Sequence, residues 1–249
     1  MRLYTKIILF TTFYDGDTPL PRTMKKETCD GHTCFVCRNC VPDWKALVAL
    51  QKTTRQFKKG EPLITEGEKV TGLFLLVEGA VKVHKHWTEE KELIVRFARP
   101  GDPIGHRGLA AGDLHPVSAT ALVDSKACYI SKDFLDSTLR MDAGFTLRLL
   151  QLYAAELQKA ESRMRNLALM DVKGRIADTL LELLAVYGKD NRHFIAVPVT
   201  RQDIAAYAGT TYETVFKTMR TLVAEKVISV SGKSIRVHNA NRLSQLLKW

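Results

Sequence analysis

The sequence has no uninterrupted apolar stretch approaching the roughly 20 residues that cross a bilayer. The N-terminal run Ile7-Ile8-Leu9-Phe10 is too short for a span, and no small-residue cleavage site follows among Thr11 to Pro21. The expectation is therefore a cytoplasmic chain with no membrane partner. Signatures of catalysis are missing too. We find no Gly-rich phosphate loop, no paired-carboxylate pattern and no nucleophile–base pairing backed by a local motif, although His32, His106 and His115 lie in loops or near cysteines. An enzyme is not expected. Internal repeats and low-complexity tracts are absent. Cysteine is scarce, five in 249 residues, and four of the five crowd together as Cys29, Cys34, Cys37 and Cys40. Without a secretion signal, such crowding points to metal or redox chemistry in a reducing compartment rather than to a disulfide framework.

What is present is globular composition, 45% hydrophobic and 26% charged, in a length that suits two domains. The net charge of +10 favours a polyanionic partner, nucleic acid ahead of an anionic membrane surface. Met24-Lys25-Lys26 offers a second candidate start, so residues 1–23 carry no part of the functional reading.

The chain divides into an N-terminal extension with the cysteine cluster (1–40), a β-rich unit (41–135), a long helix (136–170) and a final unit (171–249). Residues 41–58 read as a short amphipathic helix carrying Trp44, Leu47, Val48 and Leu50. From Phe57 onward, short apolar runs alternate with Gly and Pro turns, among them Leu73 to Val77, Val81 and Val83, Leu93 to Ala98 and Cys128-Tyr129-Ile130. That pattern predicts a small barrel or roll over about 57–132. Beyond Asp136, Leu150, Tyr153, Leu157, Ala160, Met164 and Leu167 recur at spacings of 3, 4, 3, 4 and 3. This heptad seam must be buried, either on the chain's own barrel or, as we expect, on a second copy in a homodimer. In the final unit Val172 to Val186 reads as a helix, Phe194 to Val199 as strand-like, and Val227 to Val230 with Ile235 to Val237 as a hairpin around Ser231-Gly232-Lys233.

The most informative segment runs from Thr200 to Met219. Thr200 is a helix cap with Asp203 three residues on, Gly209 suits a left-handed turn, and Thr211 caps a second helix. The buried face of that second helix is Val215, Met219 and Leu222, and its other face shows Tyr212, Glu213, Phe216, Lys217 and Arg220. Two short helices joined in this way form a helix-turn-helix, whose second helix reads double-stranded DNA in the major groove. Glu213 can accept from a cytosine amino group, and Lys217 can donate to guanine or a phosphate. Thr200, Arg201, Gln202 and Thr211 are placed to grip phosphates and set register; Tyr212 begins the reading helix.

Here the sequence resembles the cyclic-AMP receptor/fumarate–nitrate regulator (CRP/FNR) family of bacterial transcription regulators, closest to its cysteine-bearing, FNR-like branch. The resemblance lies in Thr200 to Leu222, in the wing Ile228 to Val237, and in Gly60-Glu61 to Gly67-Glu68, Val77 to Lys82 and Pro100 to Gly105. It implies an α+β chain with an N-terminal β-jelly-roll of the cyclic-nucleotide-binding kind, a long dimerisation helix and a C-terminal winged helix-turn-helix reading palindromic DNA. RNA polymerase is a further implied partner. Members of the family typically follow Glu-Thr by Arg one turn later; here Glu213-Thr214 is kept and Lys217 replaces the Arg, removing the guanidinium fork.

Cyclic-nucleotide binders of the family carry Gly-Glu-Leu-Gly and then Arg-Ser or Arg-Ala. This chain reads Gly105-His106-Arg107-Gly108 and His115-Pro116, so the ribose carboxylate and the phosphate arginine are both gone. Cyclic AMP is not expected as effector. His106 and Arg107 read as an exposed basic loop or as a subsite for some other anion. The alternative sensor is the cysteine set. Cys128 resembles the barrel position where the oxygen-sensing branch carries its remote cluster ligand, which implies a [4Fe–4S] cluster on Cys34, Cys37, Cys40 and Cys128 with Cys29 spare or substituting. That branch leaves a wider final gap than Cys37-x2-Cys40. A zinc site from Cys29, Cys34, Cys37 and Cys40 fits the same spacing, and so do plain buried thiols. A cluster signals only by biasing a two-state element, for which the heptad helix is the natural choice.

Overall fold

The computed structural model describes residues 34–88, 91–109 and 112–247; Cys29 and the rest of residues 1–33 lie outside that set. Two helices come first, α1 (Phe35–Asn39) and α2 (Pro42–Gln51), the latter started by a proline at its first turn. The sequence reading carried this helix to residue 58, but it stops at Lys52. Thr53-Thr54 are β-branched, and Thr53 to Phe57 (β1) pair along Ser125–Ser131 (β8) from Thr53↔Tyr129 to Phe57↔Ser125.

Between β1 and β8 run β2 (Pro62–Ile64), β3 (Gly72–Glu78), β4 (Val81–Thr88), β5 (Lys91–Ala98), β6 (Pro103–Ile104) and β7 (Ser118–Ala121). They form two antiparallel four-stranded sheets, ordered β1-β8-β3-β6 and β2-β7-β4-β5. The inner faces enclose Phe57, Leu63, Phe74, Leu76, Val83 and Ile104. This is the expected jelly-roll.

The long helical stretch is two helices. α3 (Lys132–Met141) ends at Asp142, whose Oδ1 accepts from Phe145 N at 2.8 Å and so caps α4 (Ala143–Leu169). At 27 residues, α4 is about 40 Å long. The C-terminal unit comprises α5 (Val172–Tyr187), α6 (Arg201–Ala208), α7 (Tyr212–Ala224), the hairpin β9 (Ile228–Ser231) and β10 (Ser234–Val237), and α8 (Ala240–Gln245). Phe194 to Val199 is not a strand. Asp190 Oδ1 accepts from Arg192 N and Phe194 N, curling the chain into a loop, and Ile195 N reaches the hairpin, donating to Ile235 O at 2.8 Å.

The C-terminal core is continuous with the outer face of the barrel. Ile94 and Phe97 of β5 are buried with Ile204, Tyr207 and Leu180, and the Phe97 and Tyr207 rings stack with centroids 4.9 Å apart. From α4, Arg163 donates to Val95 O at 2.8 Å and Tyr207 O at 2.6 Å and lies over the Tyr207 ring. Barrel, long helix and reader thus share one polar and aromatic junction.

Candidate functional site

Local chemistry builds the helix-turn-helix. Thr200 Oγ1 accepts from Asp203 N at 3.0 Å while Asp203 Oδ2 accepts from Thr200 N at 3.1 Å, a reciprocal capping box that starts α6. Gly209 takes φ 62°, which favours glycine in the turn, and its Cα faces Leu167, whose Cδ2 lies 2.9 Å from where a Cβ would stand. Arg175 of α5 donates to Ala208 O and Gly209 O in this turn and to Leu167 O and Met170 O at the end of α4, tying the turn to the long helix. Thr211 Oγ1 accepts from Thr214 N at 3.2 Å and starts α7.

On α7, Val215, Met219 and Leu222 are buried, and Tyr212, Glu213, Phe216, Lys217 and Arg220 face solvent. Glu213 is held below the usual carboxylate range, first by its own backbone N–H and then by Thr211. The exposed Phe216 ring lies near-parallel to Tyr212, with Arg201 and Arg220 guanidiniums 5.8 and 6.0 Å from its centroid. Thr200, Arg201, Gln202 and Tyr212 line a shared concavity with Gly232 and Lys233 of the wing. Four of the seven residues read from sequence as DNA contacts border this concavity, and the other three, Thr211, Glu213 and Lys217, are exposed at the start of α7. The aromatic–guanidinium stack on Phe216 is the added feature, and an exposed ring on such a helix can meet a thymine methyl. Its signal in the sequence is a second aromatic, after Tyr212, on the polar face of α7.

The loop at Gly105 to Gly108 is not exposed. His106 is buried and Arg107 half-buried, because Glu156 of α4 fills the space beside them. Glu156 Oε2 accepts from Arg107 Nε and Nη2 at 3.1 and 3.0 Å and sits 3.0 Å from His106 Nε2, while Oε1 accepts from Arg96 Nη1 at 2.8 Å. Burial opposes the Glu156 charge, but His106, Arg96 and Arg107 outweigh it and pull the carboxyl down to about 2. Tyr153 OH donates to His106 O beside it. His115 is also buried, its proton affinity lowered by that burial, and its ring packs 3.3 Å from where a Cβ on Gly105 would lie.

The helix seam divides accordingly. Tyr153 and Leu167 turn inward, toward His106 and Gly209 respectively, whereas Leu150, Leu157, Ala160 and Met164 are exposed, with Leu147 continuing the outward stripe. Glu156, beside the seam, anchors the helix to the barrel through Arg96, His106 and Arg107.

Cys34, Cys37, Cys40 and Cys128 are all buried in one cluster with Leu73, Leu75, Ile130 and Phe145. Lys52 Nζ lies 2.6 Å from Cys37 Sγ. Hydrogen bonding to Cys37 and burial push Cys34 up, and burial followed by the Asp142 charge pushes Cys40 up to about 12. The segment is fastened to the long helix. Val41 N donates to Asp142 Oδ2 at 2.8 Å, and the Phe35 and Phe145 rings meet edge-on at 5.9 Å. Among the described residues, no helix is long and apolar enough to cross a membrane.

Comparisons with known proteins agree with this geometry. The family model for the cyclic nucleotide-binding domain matches residues 54–142, and that for the Crp-like helix-turn-helix domain matches 174–246. The cAMP-activated global transcriptional regulator CRP of Salmonella typhimurium is 33% identical over 181 residues, covering 71% of this chain and 85% of that protein. The probable transcriptional regulator flp of Lacticaseibacillus casei is 30% identical over 213 residues, 84% of this chain and 95% of that one. The solved structure of FixK2 from Bradyrhizobium japonicum superposes with a TM-score of 0.70 at 28% identity, covering 78% of this chain and 96% of its own. The chain belongs to the CRP/FNR family and is a DNA-binding transcription regulator of that type, not an enzyme.

Proposed function

We propose that this regulator works in the cytoplasm as a homodimer on palindromic promoter DNA, with RNA polymerase as its further partner, and that its buried cysteines form a redox-, oxygen- or nitric-oxide-sensing centre. The observation that carries the gating is the connection at Asp142. One carboxylate caps α4 through Oδ1 and holds the cysteine segment through Oδ2. A change at the cysteines therefore acts directly on the first turn of the long helix, which at its other end meets the helix-turn-helix through Leu167 and Arg175.

Two observations favour a [4Fe–4S] cluster on Cys34, Cys37, Cys40 and Cys128 over a single zinc ion. The remote Cys128 shares the cluster with the three N-terminal thiols. Tetrahedral zinc at about 2.3 Å from each sulfur needs sulfurs about 3.8 Å apart. Among the described residues, no three cysteine sulfurs lie within 4.8 Å of one another. When bound, the cluster would supply oxidant-sensitive iron–sulfur bonds; the chain's own part is to bury the thiols and exclude water. Cyclic AMP, which the Salmonella relative's name gives as its activator, is not carried over. Glu156 satisfies the loop's cations from within and His115 replaces the arginine, which supports a barrel without that ligand.

Iron and acid-labile sulfide assays on anaerobically purified protein test the centre. About four of each per chain are expected, lost in Cys128→Ser. Absence of both from the wild-type chain overturns it, while gel shifts on palindromic DNA test the DNA reading separately.

A further inference from the structure

On the outer face of the β4–β5 ladder, away from both the cysteines and the recognition helix, two histidines and a carboxylate converge. Alternation along β4 places Lys82, His84 and His86 on one face, and the register pair His86↔Glu92 brings Glu92 of β5 across to them. One ligand atom from each of His84, His86 and Glu92 lies within 4.8 Å of the other two, and among the described residues no other trio of metal-capable side chains does so. The two imidazoles meet edge-on, centroids 4.9 Å apart.

The state of His84 is informative. Its side chain is only 5% exposed. Nε2 lies 2.9 Å from Thr120 Oγ1, whereas Nδ1 is buried and makes no hydrogen bond, although Glu92 Oε2 is 3.2 Å away. In the tautomer with Nε2–H donated to the threonine, the lone pair of Nδ1 faces a carboxylate oxygen; in the other, a proton on Nδ1 stands where a metal ion would sit. Two acceptors set against each other in a water-poor site are costly, and a cation between them resolves the conflict. Metal-bound histidines are characteristically arranged in this way, one nitrogen on the ion and the other's proton tied to a neighbour. Glu92 divides its oxygens likewise. Oε1 takes Lys82 Nζ, leaving Oε2 toward the histidines.

We propose that His84, His86 and Glu92 form a binding site for a divalent transition-metal ion of the zinc class. Two imidazoles and one carboxylate suit such borderline ions rather than calcium or magnesium, and three protein ligands leave a fourth position open to water. Ligand atoms of a tetrahedral zinc site stand about 3.4 Å apart, so a small contraction of the trio completes it. The exposed His86 gives the ion its way in. Lys82, which shares Glu92 with the ion, also lies 3.1 Å from Asp203 Oδ1 in the capping box of α6, so the site borders the contact between barrel and reader.

Titrating the full-length protein with cobalt(II), followed by visible absorption and calorimetry, tests the site independently of the cysteine centre. The expected result is one ion per chain with a ligand-field band of nitrogen and oxygen coordination, weakened at least tenfold by His86→Ala and by Glu92→Gln. His86 is exposed, so its replacement leaves the fold intact, and any cobalt–thiolate bands from the cysteines should persist in both variants. Cobalt bound only with thiolate bands, or with equal affinity in wild type and both variants, would overturn the assignment.

Discussion

Oε2 of Glu156 lies 3.0 Å from Nε2 of His106, so a carboxylate from the long helix closes the loop that in cyclic-nucleotide binders of the family faces the ligand. Arg96 and Arg107 complete the knot, and the Glu156 side chain is only 10% exposed. The carboxylate accepts only, so His106 holds its proton on Nε2; its Nδ1 is buried without a hydrogen-bond partner. The barrel and α4 are joined by this internal anion, in a place where a soluble effector's phosphate would need the same cations.

This knot makes stability sensitive to acid in a defined window. The Glu156 carboxyl falls from 4.5 to about 2 on folding, so its contribution is complete above pH 4.5 and is lost as pH falls from there toward 2. A shift of this size is worth about 3 kcal/mol. Urea unfolding across that range should show a steeper decline for the wild-type chain than for Glu156→Gln. Parallel curves would mean that the carboxylate is not charged against its three partners.

Base reading and backbone gripping should separate by mutation. Glu213→Ala removes the acceptor proposed to read a base edge and should flatten preference at one base pair per half-site, by about 1–3 kcal/mol. Arg201→Ala should instead weaken all sequences alike and reduce the dependence on salt by about one counterion. Binding to a panel of half-site variants at several salt concentrations distinguishes them. Identical behaviour of the two variants would remove the assigned division of roles.

Lys82 and Asp203 join sensor to reader at 3.1 Å with both side chains largely buried. A double-mutant cycle with Lys82→Met and Asp203→Asn should give a coupling of about 0.5–3 kcal/mol in thermal or denaturant unfolding. Additive effects would show that the contact does not link the two units.

What was legible in the sequence was what neighbours in the chain decide. Thr200 with Asp203, Gly209 and Thr211 act within a few residues of themselves, and each stands in the structure in the conformation its chemistry suggests. Thr53 to Phe57 went to the wrong element because its identity depends on β8, some seventy residues away. The role of Glu156 is hidden in the sequence because its partners, Arg96, His106 and Arg107, come from the barrel 49 to 60 residues earlier. A heptad count also cannot tell which side of a stripe its own barrel will claim, and here the barrel and reader take Tyr153 and Leu167.

The remainder of that stripe gives the sharpest test of assembly. Leu157 is 59% exposed, in line with the exposed Leu150 and Met164. A lone exposed leucine is ordinary, but a row of them along one 27-residue helix supports the proposed homodimer seam. Leu157→Lys should therefore leave the melting temperature of the isolated chain nearly unchanged while placing a charge in the centre of the seam. Light scattering should report a monomer. DNA affinity should drop by about 100-fold or more, because each half-site is then held by one helix without its partner's avidity. A Leu157→Lys protein that remains dimeric and binds palindromic DNA at wild-type strength would place the interface on another surface.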